Sequence, residues 1–141
     1  AGNYSWLETE FTEYNIIPAA GETEADDLTG ESRADSPEHK YTVSAQYSWP
    51  LAQNGELVAR ADYTWSDDRI APSRGEVGDY GLASARLSWF SRDEAWEVGL
   101  WGNNLADEEA LTVFGNGEAV NSTPAWRIPP RMWGVDLVYN L

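Results

Sequence analysis

The chemistry open to this chain is narrow, because its 141 residues contain one histidine, His39, and no cysteine. Without cysteine there is no thiol nucleophile, no disulfide framework and no Cys-based zinc site. Ser-His-Asp catalysis would depend on His39 alone, and no Gly-x-Ser-x-Gly turn presents a serine nucleophile. We therefore interpret His39 as a structural residue and predict that the chain is not an enzyme and carries no cofactor.

An acidic stretch between positions 22 and 38 is where carboxylates could gather around a cation. Its seven acids are Glu22, Glu24, Asp26, Asp27, Glu31, Asp35 and Glu38. Calcium loops need the Asp-x-Asp-x-Asp-Gly spacing, which this stretch lacks. A solvated acidic loop is the better interpretation, and no metal site is predicted.

Two glycosylation sequons are present, Asn3-Tyr4-Ser5 and Asn121-Ser122-Thr123. Matches to so short a pattern arise by chance, and the sequence leaves open whether Asn3 or Asn121 is modified. In the last long loop, Phe114 and Trp126 could contact a ligand, but capping of the sheet explains them equally well.

The net charge of the chain is −15, from 24 acidic and 9 basic residues. Such a surface repels the phosphates of nucleic acids, so no nucleic acid partner is predicted. No run of about 18 apolar residues is present, which excludes a transmembrane helix. The first residues also lack the basic and apolar regions of a signal peptide. A mean hydropathy of −0.53 remains compatible with membrane strands, because alternating polar residues lower the average.

The end of the chain carries the clearest structural signal, with large apolar residues at every second position. These residues are Trp133, Val135, Leu137, Tyr139 and Leu141. Period-two alternation predicts a β-strand with a different chemistry on each face. A strand that reaches the last residue must be held in a sheet, since free termini fray. By itself this stretch suits either a membrane β-barrel or a soluble β-sandwich.

The same alternation recurs along the chain and predicts an all-β fold, an antiparallel up-and-down meander of about six strands. The predicted strands are Gly2–Tyr14, Lys40–Leu51, Glu56–Ser66, Tyr80–Phe90, Ala95–Asn103 and Trp133–Leu141. Long polar segments, 15–39, 67–79 and 104–131, follow the first, third and fifth strands. Short turns at Asn54-Gly55 and Ser91–Glu94 follow the second and fourth. All long segments therefore belong at one end of the sheet, which is typical of transmembrane barrels.

Aromatic residues gather near the strand ends, as expected where a barrel meets the two headgroup regions. The predicted belts are Trp49, Trp89, Trp96 and Tyr139 at the short-turn end, and Tyr41, Trp65 and Trp133 at the long-loop end. The face between the belts is apolar. The opposite face carries Arg60, Asp62, Arg86, Glu97 and Asp136. This apolar-out, polar-in pattern favours a segment of a transmembrane β-barrel over a sandwich.

Three ordered motifs resemble those of TonB-dependent outer-membrane receptors. Residues 97–108, Glu-Val-Gly-Leu-Trp-Gly-Asn-Asn-Leu-Ala-Asp-Glu, resemble the penultimate strand of that family, which runs into Asn104, Leu105 and Asp107. Pro130-Arg131-Met132-Trp133-Gly134 resembles the motif that opens the final strand. Residues 35–41, with Pro37, are similar to a segment leading into an earlier strand. The chain ends in Leu141, where the family usually has Phe.

The resemblance implies a bacterial outer-membrane barrel of about twenty-two strands with a plugged lumen. It also implies energised uptake of siderophores, cobalamin, sugars or similar nutrients, with long loops extracellular and with short turns and C-terminus periplasmic. Residues 1–141 would then be one C-terminal β-barrel segment, with the plug and the earlier strands absent. Which ligand is transported cannot be read from these residues.

Six strands are too few to close a bacterial barrel, so the edges Gly2–Tyr14 and Trp133–Leu141 need partners. The remaining strands of a parent barrel would supply them, with outer-membrane lipid covering the apolar face. The alternative is a structural self-assembling β-protein, a ring, tube or fibre built by edge pairing of repeated copies. The sequence leaves the oligomeric state open.

Overall fold

The computed structural model describes residues 1–14, 27–71, 76–114 and 125–140. These residues form ten strands and one short 3-10 turn, Ala52–Asn54. In chain order the strands are β1 Gly2–Trp6, β2 His39–Pro50, β3 Glu56–Ser66, β4 Arg69–Ile70, β5 Glu76–Val77, β6 Tyr80–Phe90, β7 Trp96–Asn103, β8 Leu111–Phe114, β9 Ala125–Arg127 and β10 Met132–Tyr139. The predicted all-β class is confirmed.

Six of these strands form one antiparallel sheet in the order β1-β2-β3-β6-β7-β10. Each strand pairs with the next of the six along the chain, so the sheet is an up-and-down meander with β1 and β10 at its edges. The three long connections leave from the same end, where Trp6 pairs with His39 and Ser66 with Tyr80. Both short turns lie at the other end. The predicted separation of long and short connections is confirmed.

The pairing register keeps the two chemistries on separate faces across the whole sheet. One row of directly opposed residues is Tyr47, Ala59, Leu87, Leu100 and Val135. The adjacent row is Gln46, Arg60, Arg86, Trp101 and Gly134. Directly opposed side chains share a face, whereas consecutive residues of a strand point to opposite faces. We call the first the apolar face and the second the polar face.

Strand lengths differ from the sequence prediction in several places. The first strand was predicted to run to Tyr14 but ends at Trp6. The Leu7 amide still donates to the Glu38 carbonyl in line with the pairing of β1 and β2, whereas the Phe11 amide donates to Glu31, out of that register. The edge that needs a partner is therefore Gly2–Trp6. At the other edge, β10 begins one residue early, at Met132, and Leu141 lies outside the described residues.

The long segments, predicted to be loops, contain short hairpins. Strand β4 pairs with β5, and β8 with β9. The first hairpin is tied to the preceding long segment, since the Asp35 amide donates to the Ile70 carbonyl (2.8 Å) and Arg69 Nε to the Asp35 carboxylate (3.2 Å). Strands β4 and β5 have two residues each, too few to show an alternating pattern in the sequence. Their positions depend on tertiary contacts such as those of Asp35.

Among the described residues, the buried apolar side chains lie in the long segments rather than in the large sheet. They are Leu28, Ala71, Val77 and Ile128. On the apolar face of the sheet, Tyr47, Val135 and Leu137 remain 62–67% exposed. Within residues 1–14, 27–71, 76–114 and 125–140, the sheet is therefore a single layer with no second layer over its apolar face.

The turn after β2 is longer than the two-residue Asn-Gly reversal that the sequence suggested. The 3-10 turn leads into Gly55, whose φ of +94° favours glycine. A Cβ atom on Gly55 would collide with the Phe90 carbonyl oxygen, so a side chain has no room there. Gly55 thus allows the turn to lie against the neighbouring strand.

Candidate functional site on the polar face and at the base of the long loops

The centre of the polar face holds an ion-pair network around Arg86 of β6. Its guanidinium donates to Asp136 of β10 at 2.6 Å and to Glu97 of β7 at 2.9 Å. Its Nε donates to the hydroxyl of Ser88, also at 2.9 Å. The network therefore joins the last three strands of the sheet across about 50 residues of sequence.

Two glycines in the strands make room for this network. A Cβ atom on Gly99 would collide with the Arg86 guanidinium, which crosses β7 at that point. A Cβ atom on Gly134 would lie 2.7 Å from Cζ2 of Trp101. The indole can thus lie across β10 and donate its N–H to Asp136 at 3.1 Å. The motif glycine Gly134 therefore has a packing role on the polar face.

Arg60 and Arg86 stand directly opposite each other on β3 and β6. Like charges in this position repel and destabilise a sheet. The two guanidiniums instead turn to different acids: Arg60 forms a bidentate pair with Asp62 of its own strand, at 2.8 and 2.9 Å. The predicted polar residues of this face thus form two separate sets of ion pairs: Arg60 pairs with Asp62, and Arg86 pairs with Glu97 and Asp136.

At the base of the last long segment, the motif residues form a set of contacts that we call the clasp. The Asn104 carboxamide donates to the carbonyls of Glu108 (2.9 Å) and Pro129 (3.0 Å) and accepts from the Glu108 amide (2.8 Å). Asp107 accepts from the Arg131 amide at 3.1 Å and lies 3.4 Å from its guanidinium. Asn104 is only 6% exposed. The clasp holds together the end of β7 and the segment entering β10.

Backbone conformation explains part of the motif. Asn104 and Asp107 have positive φ values, 49° and 58°, a region that Asn and Asp occupy more readily than most residues. The Leu105 amide donates to the Ala83 carbonyl at 2.9 Å, which ties the turn to β6. Pro130 lies between the two halves of the clasp, and Pro37 lies before β2. The sequence motifs include Asn104, Asp107 and Arg131. They did not indicate that Asn104 contacts Pro129 or that Asp107 contacts Arg131.

All seven predicted belt residues lie on the apolar face. At the short-turn end, Trp96 and Tyr139 are in ring contact with centroids 4.6 Å apart. Trp89 there donates its indole N–H to the Asn54 carbonyl at 2.8 Å. At the long-loop end, Tyr41 and Trp65 stack at 5.5 Å. An apolar ring body with a polar tip bonded to a turn suits the edge of a membrane.

The two predicted belts are separated by most of the length of a strand. Eight residues separate Tyr41 from Trp49 on β2, which corresponds to about 27 Å along a strand. With a tilt of about 40°, this becomes about 20 Å, near the height of the apolar band of outer-membrane barrels. Sequence reasoning missed Trp6, which shares this face and bonds to Glu38 at 3.3 Å. Trp6 lies two residues after Tyr4, and this spacing could have placed both side chains on the same face of the strand.

His39 lies on β2 beside the edge strand, 2.8 Å from the Tyr4 hydroxyl and 3.5 Å from Glu38. Within the described residues, no group of three or more side chains could hold a metal ion. Glu22, Glu24 and Asp26 of the acidic stretch and the sequon asparagine Asn121 lie outside the described residues. The described part of the chain also has no helix that is long and apolar enough to cross a membrane.

Comparison with known proteins gives one family match. The family described as TonB dependent receptor-like, beta-barrel matches residues 1–105, about three quarters of the chain. Neither the curated proteins nor the solved structures give a match. The matched part contains β1 to β7 and the first residues of the clasp.

Proposed function

The chain belongs to the TonB-dependent receptor-like β-barrel family, and from that premise we propose that it takes up siderophore-like nutrients as part of a receptor wall. The family is an outer-membrane family of receptors and transporters. In this proposal the polar face lines the lumen, the apolar face contacts outer-membrane lipid, and the chain carries out no chemistry of its own.

The observation that carries the proposal is the separation of faces across all six strands. Ion pairs that link β6, β7 and β10 lie on one face. On the other face Val135 and Leu137 are exposed with no polar neighbour in their rows. A soluble domain would cover such a face with a second layer. A bilayer covers it without one.

The proposed orientation has the long connections outside the cell and the short turns in the periplasm, as is usual in bacterial barrels. The strands β1 and β10 would pair with the remaining strands of the parent barrel, because an exposed edge presents unpaired backbone groups. Membership of the family and the geometry of the strands support both points.

Uptake measurements test the proposal. Cells that carry or lack the gene would be supplied with labelled ferric siderophores, cobalamin or oligosaccharides. We expect one ligand class to accumulate only when the protein is present, and accumulation to stop when a protonophore removes the energy source. Normal insertion in the outer membrane without uptake of any of these classes would contradict the nutrient-uptake proposal.

Open edges support one alternative, a self-assembling structural protein. The sheet ends at β1 and β10 without closing, and repeated copies could pair there to form a ring, tube or fibre. The mass of the native species separates the two proposals. Assemblies of a whole number of 141-residue chains that form without detergent would favour the alternative, whereas a single large membrane-bound chain would favour the receptor.

A further inference from the structure

A cavity of about 490 Å³ lies on the polar face, over the adjacent strands β3, β6 and β7. The side chains that line it belong to two neighbouring rows of the sheet: Arg60, Arg86 and Trp101 in one row, and Asp62, Ser84 and Asn103 in the other. Such rows are about 7 Å apart and three strands span about 10 Å. The footprint of the cavity therefore matches a single six-membered ring with its substituents.

The polar face is nearly neutral, although the chain is strongly acidic. Within the six strands of the sheet, this face carries three bases and four acids: Lys40, Arg60, Arg86, Glu56, Asp62, Glu97 and Asp136. At the cavity itself, the two guanidiniums are matched by three carboxylates. A charged ligand of either sign finds no large excess of opposite charge here, so the complementary ligand is neutral.

The cavity offers hydrogen-bond donors and acceptors side by side. Neither the Ser84 hydroxyl nor the Asn103 carboxamide bonds to any of the described residues. In the pair of Arg60 and Asp62, Nε and Nη2 are engaged, which leaves Nη1 as a donor and further lone pairs of the carboxylate as acceptors. A hydroxyl group both donates and accepts, so a ligand with several hydroxyls matches this mixture of groups.

Trp101 bounds the cavity on the side of β10 and presents a flat surface to it. The indole lies over Gly134, whose Cβ atom would be 2.7 Å from Cζ2 and 2.9 Å from Cε2. Its N–H donates to Asp136 at 3.1 Å, which holds the ring in this position. One ring face thus packs on the backbone of β10, and the side chain remains half-buried. The other face is an apolar plane with negative potential, which suits the C–H groups of a saturated ring.

We propose that this cavity binds a neutral sugar ring. The hydroxyls of the sugar bond to Ser84, Asn103 and Asp62, and its C–H face packs on the indole of Trp101. The inference rests on the proposed function to the extent that the polar face is a water-filled lumen. It deepens that function by naming the chemical class of group that this part of the wall contacts.

The test uses the intact protein, extracted from cell membranes in a detergent without a sugar head group, and methyl β-D-glucopyranoside as probe. All ring substituents of this probe are equatorial, so both of its faces present C–H groups. Saturation-transfer NMR measures binding and identifies the probe protons that touch the protein. We expect saturable binding with the strongest transfer to the axial C–H protons. Methyl β-D-glucuronide, which adds a negative charge, and glycerol, which has hydroxyls but no ring, should bind more weakly.

Variants locate the site. Ser84→Ala should weaken binding of the glucoside about threefold to tenfold, because one hydrogen bond to the sugar is lost. Asn103→Ala, at an exposed position, should weaken it to a similar extent. Ser48→Ala is the matched control, since it removes a hydroxyl from the same face outside the cavity and should leave binding unchanged. Trp101→Leu should remove the transfer to the axial protons, and the Ser84 and Asn103 variants decide the question if it misfolds.

Four outcomes would overturn the inference: no saturable binding, binding of the glucuronide as tight as that of the glucoside, equally tight binding of glycerol, or equal effects of Ser84→Ala and Ser48→Ala. None of them bears on nutrient uptake by cells. Conversely, a protein that imports none of the tested nutrients leaves binding in detergent unaffected. Failure of the sugar site and failure of the receptor proposal are therefore distinguishable.

Discussion

Arg86 and Asp136 are joined by an ion pair of 2.6 Å although β7 lies between their strands. The guanidinium reaches Asp136 by crossing Gly99, where any side chain would collide with it. The glycine and the pair thus depend on each other. Since both partners are partly exposed, the pair contributes modestly to stability but fixes how β10 lies against its neighbours.

Gly99→Ala should destabilise the sheet by up to about 1 kcal/mol, because the flexible guanidinium of Arg86 must move away from its ion-pair partners. Urea unfolding in detergent, followed by circular dichroism, measures this change. Gly78→Ala is the matched control, because no atom lies within 4 Å of the added Cβ there. Equal stability of the Gly99 and Gly78 variants would show that Arg86 moves aside without cost.

The two faces of the sheet should differ in their tolerance of charge. Val98→Arg on the apolar face should cost about 2–4 kcal/mol in a lipid bilayer if it lies near the midplane. Gln46→Arg on the polar face should be mild, at most about 1 kcal/mol, the repulsion from Arg60 directly opposite it. Unfolding titrations in lipid vesicles give both values. Similar costs for the two changes would count against lipid contact.

The clasp should control the stability of the last long segment. Asn104→Ala removes three hydrogen bonds from a buried group and should cost about 1–3 kcal/mol, because two carbonyls and an amide lose their partner. Trypsin cleavage after Arg127, followed by mass spectrometry, should accelerate. Asp68→Ala, in a different long segment, is the control. An unchanged cleavage rate in Asn104→Ala would mean that the clasp does not hold this segment.

The turn between β6 and β7 should show a pH response. Hydrogen bonds from the Ser91 hydroxyl (2.6 Å) and the Ala95 amide (3.3 Å) lower the pKa of the Asp93 carboxyl below its usual 3.8. A lowered pKa in the folded state means that Asp93 stabilises the fold above its ordinary pKa. This contribution is lost as the pH falls through the lowered value.

Ser91→Ala should therefore raise the Asp93 pKa, as measured by ¹³C NMR titration of the carboxyl. The Asp27 carboxyl is an internal control. Its pKa is lowered by Thr29, at the opposite end of the sheet, and should not respond. An Asp93 pKa that is the same in wild type and variant would exclude the Ser91 hydroxyl as the cause.

Membrane orientation can be read with single cysteines, since the chain contains none of its own. We expect Glu31→Cys, in a long segment, to react with a membrane-impermeant maleimide in intact cells. Arg92→Cys, in a short turn, should react only after the outer membrane is opened. Both positions are exposed, so reactivity reports location rather than burial. The reverse labelling pattern would overturn the proposed orientation.

Local patterns were enough to predict the meander and its faces. Tyr47 and Gln46 point to opposite faces because consecutive side chains of any strand do so, whatever the strand pairs with. Turn residues and alternation fixed β3 and β6 to their observed bounds. The early end of β1 at Trp6 escaped prediction, because the chain leaves the register of β2 through a contact distant in sequence, the bond from the Phe11 amide to Glu31.

The meeting of Asn104 with Pro129, and of Arg86 with Asp136, was decided only by tertiary structure. Each pair is distant in sequence, and the spacing of residues within one strand contains no information about the register of the next. Register is set by the hydrophobic pattern and by turn geometry, and the long segment between β7 and β10 offers no short turn that would fix it. The sequence by itself therefore determined which face a residue occupies, and the assembled sheet determined which partner it finds there.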